Sequence, residues 1–245
     1  MMAFASGDIK EMLRCPAEPN ADATLSLLQR LAPGWRIEPI EGEVLAEATN
    51  PPMGIVFAAS IAGLDIVCGL DFLNGAGTNL PAHVLAEGAG RTIVLHRMHS
   101  ASDSVQFAIW NDRHLVRALG IDGTNGVVQD VGEPLGFEGP YWAGERPHQP
   151  TALFGPPGPN PFPTGFHPQS LGNEAMRALF GFILEGRQQP DDIDAWAVPL
   201  LGFHLIDPDA PGAGERAEQL RAATSTMVRR TYEMGPDGAV IEVTT

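Results

Sequence analysis

A histidine and a carboxylate, His99 and Asp103, lie on either side of the short polar segment Ser100–Ser102. If this segment is a three-residue hairpin loop, His99 lies directly opposite Asp103. The same register places Leu95 opposite Phe107 and so pairs apolar groups. A carboxylate at that distance would favour the imidazolium or orient a neutral imidazole for proton transfer. We therefore predict His99 and Asp103 as candidate catalytic residues. The alternative is a polar pair that closes a hairpin at the surface.

Two histidines of the same run, His96 and His99, suggest a metal pair by their spacing. In a regular strand, residues three apart point to opposite faces, so the two rings could not hold one ion without a bulge. A metal site would need further ligands from His167, His204 or Glu145. We predict no metal site and no cofactor.

The segment Pro134–Pro168 is unusually rich in proline and aromatic residues, with ten of the chain's 22 prolines. Aromatic side chains need covering, so we predict an ordered loop that packs on the protein and forms one wall of its main cavity. Tyr141, Trp142, Glu145 and His148 are the candidate ligand-binding residues of this loop. The alternative is that Tyr141 and Trp142 only anchor it. The other aromatic residues of the loop are Phe154, Phe162 and Phe166.

Compact signatures of known chemistry are missing from the sequence. It contains no Walker-type glycine loop, no Gly-x-Gly-x-x-Gly, no Gly-x-Ser-x-Gly and no His-Glu-x-x-His. The acidic run Asp191–Asp194 could hold calcium but lacks the glycine and distant glutamate of an EF-hand, and a solvated turn is the simpler explanation. Any chemistry must therefore come from residues scattered along the chain.

Four strand-like runs separated by turn residues predict the scaffold of these candidates. A parallel doubly wound sheet would need a helix between successive strands, and the turns leave no room for one. We predict an α+β fold in which an antiparallel meander over Thr92–Val131 carries helices on one side and the Pro/aromatic loop over one end. The four runs are Thr92–His99, Asp103–Trp110, His114–Ile121 and Gly126–Val131.

Helices are predicted on either side of the meander. Leucines at helical spacing indicate one over Ala21–Leu31, and an apolar face indicates a stronger one over Gly172–Glu185, ended by Gly186. A further helix and a hairpin are predicted within residues 213–243. We expect residues 1–245 to form a single domain.

Composition limits the classes of partner. The formal net charge is −15, and an excess of acidic residues repels phosphate backbones and anionic lipids. We therefore expect no nucleic-acid or membrane partner, and a soluble protein. Two cysteines far apart in sequence argue against a disulfide framework and favour a cytoplasmic location.

Several segments together resemble an uncharacterised domain-of-unknown-function family common among actinobacteria. The resemblance covers about residues 1–203 and implies a cytoplasmic bacterial protein with one domain, and it implies no activity. The segments that carry it are Leu95–Ser100, Asp130–Leu135, Gly139–Glu145, Phe166–Pro168 leading to the helix end at Leu179–Gly186, and Pro199–Phe203.

Two function classes remain open from the sequence. The first, which the lack of a catalytic signature favours, is a non-catalytic module that binds a protein partner or a small molecule. The second is a hydrolase-like enzyme that uses His99 and Asp103 with Glu145 or His148 from the loop.

Overall fold

The predicted four-strand meander lies at one end of a larger sheet. The computed structural model describes residues 1–14, 17–70, 73, 77–149, 159–226, 231–234 and 240–243. Nine strands form one sheet in the order β2-β9-β3-β4-β1-β5-β6-β7-β8. Each neighbouring pair from β9 to β8 is antiparallel, which confirms the α+β fold and the meander. The strands are β1 (Met2–Ala5), β2 (Arg36–Val44), β3 (Ile55–Ile61), β4 (Leu64–Cys68), β5 (Thr92–His99), β6 (Ser104–Asn111), β7 (His114–Asp122), β8 (Gly126–Val131) and β9 (Pro199–Ile206).

Helices cover both faces of this sheet, so the prediction that they pack on one side is wrong. Successive residues of a strand point to opposite faces, and in β1 both sets are buried: Phe4 packs in one apolar cluster and Ala3 in another. The first cluster includes residues of the helices Ala21–Leu31 (α2) and Ala82–Ala86 (α4). The second includes residues of the helices Ile9–Arg14 (α1), Leu45–Ala48 (α3) and Pro168–Phe180 (α6). The helices are α1 (Ile9–Arg14), α2 (Ala21–Leu31), α3 (Leu45–Ala48), α4 (Ala82–Ala86), α5 (Gly139–Trp142), α6 (Pro168–Phe180) and α7 (Ala213–Thr226).

The helix α6 begins and ends earlier than the sequence predicted. Pro168 occupies its first turn, where a missing N–H costs nothing, and the ring Nδ1 of His167 accepts a hydrogen bond from the backbone N–H of Gln169. Gly181 ends the helix with a φ of 85°, the left-handed conformation that glycine adopts without strain. Gly186 is therefore not the end of this helix.

The chain forms two compact units, Met1–Leu205 and Ile206–Thr245. The second contains α7 and a hairpin of β10 (Thr231–Met234) and β11 (Val240–Val243), in which Thr231 pairs with Val243. The turn predicted between these two strands lies outside the described residues. One domain over residues 1–245 stays a prediction.

Candidate functional site

A cleft of about 1000 Å³, which we call the main cleft, follows the ends of the strands β5 to β8. Residues before β3, after β4 and along α6 complete its walls. The described lining residues are Met1, Thr49, Asn50, Pro51, Met53, Gly69, Leu70, His96, Arg97, Met98, His99, Ser100, Ser104, Val105, Gln106, Gly120, Ile121, Asp122, Asn125, Val128, Gln129, Gln169, Met176, Leu184 and Glu185.

A row of cross-strand partners forms the floor of this cleft. Arg97 pairs with Gln106, Gln106 with Gly120, and Gly120 with Gln129. Residues that lie directly opposite one another share a face of the sheet. The four residues are therefore side by side on one face, across four strands, and all four line the cleft. We call this set the amide row.

The side chains of the amide row are already joined by hydrogen bonds. Gln106 Nε2 donates to Gln129 Oε1 at 3.3 Å, and Gln129 Nε2 donates to Thr78 Oγ1 at 2.6 Å. Gly120 lies between the two glutamines, and a Cβ there would lie only 3.3 Å from the Cβ of Gln129. The absence of a side chain at Gly120 leaves space for the two amides to meet. They are thus held in place before any ligand arrives.

The amide row begins where the apolar covering of the same face ends. Two residues further along each of three strands, Leu95, Ala108 and Ala118 form a second row of cross-strand partners. Their side chains point to the same face as the amide row and are buried in the apolar cluster of α2 and α4. The change from aliphatic to amide side chains therefore coincides with the change from a covered to an open part of the face. This boundary explains why polar side chains occur in strands that are otherwise apolar.

His96 lines the same cleft from the opposite face of β5. Its Nε2–H donates to the carbonyl oxygen of Gly172 at 2.9 Å. Gly172 allows this close approach of α6, because a Cβ there would lie 2.4 Å from the sulfur of Met98. Burial and, to a smaller extent, the ammonium group of Met1 lower the pKa of His96 to about 4. The ring is therefore neutral at neutral pH, with Nδ1 as an acceptor.

The predicted pairing of His99 with Asp103 is wrong by one residue. His99 pairs with Ser104, Leu95 with Ala108, and the loop contains four residues rather than three. Asp103 closes this loop with a φ of 46°, a left-handed conformation that aspartate tolerates. The Nδ1 of His99 lies 3.1 Å from Ser102 Oγ, whereas Asp103 Oδ1 lies 3.6 Å from the Nε2 of His167. His99 lines the main cleft and Asp103 does not.

The described part of the Pro/aromatic loop does not line the main cleft, so the predicted cavity wall is wrong for these residues. Tyr141 is buried, and its hydroxyl donates to the carbonyl of Ser170 at 2.9 Å. Trp142 packs edge-on against Phe166 with ring centroids 5.3 Å apart. Both side chains anchor the loop to the body of the protein. Residues 150–158, with Phe154, lie outside the described residues, so order along the whole loop stays a prediction.

The other two loop candidates lie apart from the cleft. Glu145 is exposed, and His148 is half-buried against Phe162, with ring centroids 4.9 Å apart. The ring of His167 lies 5.6 Å from that of His148. Phe162 and Asp103 line a separate, smaller cleft of about 310 Å³. The ligand-binding role predicted for this region stays a prediction.

A buried ion pair that the sequence analysis missed fixes the start of the loop. Arg117 and Glu138 are 1% and 0% exposed, and the Nε of Arg117 donates to Glu138 at 2.9 Å. Glu138 also accepts hydrogen bonds from the backbone of Leu135 and from the indole of Trp142. Asp130 is the second carboxylate on the guanidinium. Hydrogen bonds to both carboxylates offset the cost of burial and raise the pKa of Arg117 above its ordinary value.

Among the described residues, the geometry does not support a metal site at the histidines or at the acidic run. Within the part of the chain that the structure describes, no three histidine, cysteine or acidic side chains are grouped closely enough to hold an ion. In the acidic run near residue 192, Asp192 accepts from Arg177 at 2.9 Å and Asp194 accepts from the backbone of Trp196 at 3.0 Å. These carboxylates stabilise local turns.

Comparison with models of known families gives a match over most of the chain. The model of a family of unknown function, DUF6928, matches residues 1–203. The chain belongs to this family. The resemblance to an uncharacterised family predicted from the sequence is thereby confirmed, and the DUF6928 match includes all of the amide row and His96. No curated protein and no solved structure matches the chain. Among the described residues, no helix is long and apolar enough to cross a membrane.

Proposed function

We propose that this protein is a non-catalytic binding module whose ligand lies in the main cleft, on the amide row. The ligand is a small molecule or a short segment of a partner protein. The observation that carries the proposal is the hydrogen-bonded arrangement of Gln106 and Gln129 on the floor of a cleft of about 1000 Å³.

The dimensions and chemistry of the cleft support this proposal. Ligand pockets have volumes of roughly 300–1,000 Å³ and combine apolar walls with a few polar groups that fix the orientation of the ligand. Here Leu70, which packs in the apolar cluster on the same face of the sheet, supplies apolar surface, and the amide row supplies fixed donors and acceptors. Because the amides already bond one another, little side-chain entropy is lost on binding.

The alternative, a hydrolase that uses His99 and Asp103 with Glu145 or His148, receives less support. A general base needs an orienting partner on its second nitrogen. The partner found for His99 is Ser102, at an exposed turn, and the carboxylate of Asp103 faces His167 instead. Buried His96 is a poor candidate for the general base, because its low pKa makes the ring a weak base.

We also propose a cytoplasmic bacterial protein that does not bind nucleic acid. The formal charge of −15 supports this, because it would repel a phosphate backbone. Cys68 is a buried free cysteine, and burial raises the pKa of its thiol to about 11. Salt-sensitive, submicromolar binding to a DNA duplex would contradict the nucleic-acid part of this proposal.

A ligand-observed NMR screen with a library of neutral and charged polar fragments tests the binding proposal. The test variant is Gln106→Leu/Gln129→Leu, which keeps side-chain size and removes the amides. The matched control is Gln29→Leu/Gln189→Leu, which replaces two exposed glutamines outside the cleft. We expect fragments that bind the wild type and the control and lose binding to the test variant. Equal binding to all three proteins would contradict the proposal.

A further inference from the structure

We infer that the ligand of the main cleft is an extended, electrically neutral peptide segment of about four residues, bound mainly through its backbone amides. This inference rests on the proposed function. It adds the chemical class of the ligand and the groups that recognise it.

The length of the amide row fits such a segment. The row crosses four neighbouring strands, from Arg97 on β5 to Gln129 on β8. Three spacings of about 4.8 Å give a floor about 14 Å long. An extended chain advances about 3.4 Å per residue, so about four residues cover this distance.

The hydrogen-bonding capacity left in the row is that of a peptide group. Gln106 gives one N–H to Gln129, and Gln129 gives one N–H to Thr78. Each amide carries two N–H donors and an oxygen with two acceptor positions. Among the described residues, one N–H of each glutamine and the oxygen of Gln106 have no further hydrogen-bond partner. A ligand with alternating N–H and C=O groups matches this pattern of neighbouring donors and acceptors.

The walls of the cleft suit apolar side chains of varied shape. Met53, which is 74% exposed, and Leu70, which packs in the apolar cluster on the face of the amide row, line the cleft. Methionine is flexible and polarizable and adapts to different apolar partners. The lining also carries charges of both signs, from Arg97 and from Asp122 and Glu185. A neutral segment is therefore the best match.

A binding experiment with blocked tetrapeptides tests the inference. The probes are N-acetylated, C-amidated tetrapeptides built from alanine, valine, leucine and methionine, and the same peptides with methylated backbone nitrogens. Methylation removes the N–H donors and keeps the side chains. We expect the unmethylated peptides to bind the wild type and the Gln29→Leu/Gln189→Leu control. Affinity should fall about tenfold or more on methylation, and similarly in Gln106→Leu/Gln129→Leu, because lost hydrogen bonds of about 1–1.5 kcal/mol correspond to about that factor.

The other outcomes separate this inference from the proposed function. Equal affinity for methylated and unmethylated peptides, or an unaffected Gln106→Leu/Gln129→Leu variant, would overturn backbone recognition on the amide row. If polar fragments bind in a Gln106- and Gln129-dependent manner and no tetrapeptide binds, the peptide inference is wrong and the binding module stands. If neither class binds, both proposals fail.

Discussion

The substitution His96→Gln should reduce the sensitivity of the protein to acid. Glutamine cannot be protonated in this range, and its Nε2 can reach the carbonyl of Gly172 as the imidazole does. In the wild type, burial lowers the pKa of His96 to about 4 from 6.5. The unfolded chain therefore binds a proton more readily than the folded protein. The stability that this difference supplies is present above the unfolded pKa and is lost as the pH falls towards 4.

The magnitude follows from the size of the shift. Lowering the pKa of His96 from 6.5 to about 4 corresponds to roughly 3 kcal/mol, since a tenfold change in proton affinity is 1.36 kcal/mol. At about pH 4, where the folded protein is half protonated at His96, the loss is about 3 kcal/mol. The wild type should therefore lose about 3 kcal/mol more than His96→Gln between about pH 7 and pH 4.

Urea unfolding at a series of pH values measures this difference, and the Cε1–H resonance of His96 gives the folded pKa directly. Other groups that titrate in the range act in both proteins and cancel in the comparison, apart from the ammonium group of Met1, which acts on His96 directly. Parallel loss of stability in the two proteins, or a folded midpoint near 6.5, would show that His96 is not held neutral by burial.

Three further substitutions test the packing around the cleft and the loop. Glu138→Ala should cost about 3–5 kcal/mol in urea unfolding, because it leaves the buried charge of Arg117 without its main partner. Gly172→Ala should cost about 1–3 kcal/mol, more than alanine gains in helix propensity, because the new Cβ would meet the sulfur of Met98 at 2.4 Å. Trp142→Ala should cost about 1–3 kcal/mol, since the ring packs on Phe166 and its N–H bonds Glu138.

Each of these three substitutions has a control variant. The control has either the same change of residue type or, for Glu138→Ala, the same ion-pair partner, Arg117. Asp130→Asn removes the other, 56% exposed carboxylate from Arg117 and should cost only about 1 kcal/mol. Gly136→Ala places a Cβ with no neighbour within 4 Å and should be nearly neutral. Trp196→Ala removes an exposed ring and should cost less than Trp142→Ala. Equal losses in a variant and its control would refute the corresponding packing argument.

The alternation of apolar residues was enough to predict the meander, since period-two patterns and turn residues are local signals. The bounds of β5 and β8 agree with the prediction. The register between β5 and β6 was not predictable, because it depends on whether Asp103 belongs to the strand or to the loop. A left-handed aspartate is tolerated without a sequence signal as strong as glycine. One extra loop residue then moved every partner by one position.

The site itself depends on contacts between distant residues. Arg97 and Gln129 lie on strands separated by two others, and only the register brings Gln106, Gly120 and Gln129 together. The sequence analysis favoured the Pro/aromatic loop instead, because density of aromatic and titratable residues is visible along the chain. The polar residues on one face of the β6 and β8 runs were the available signal. They mark the point at which that face is no longer covered.

The central claim is that the ligand lies on the amide row. A heteronuclear NMR titration of ¹⁵N-labelled protein with the polar fragments and blocked tetrapeptides tests it most directly. The account predicts that the largest shifts occur at the side-chain amides of Gln106 and Gln129 and at the backbone amide of Gly120. Largest shifts at Tyr141–His148 and Phe162, with the two glutamine side chains unchanged, would contradict it and place the site at the loop.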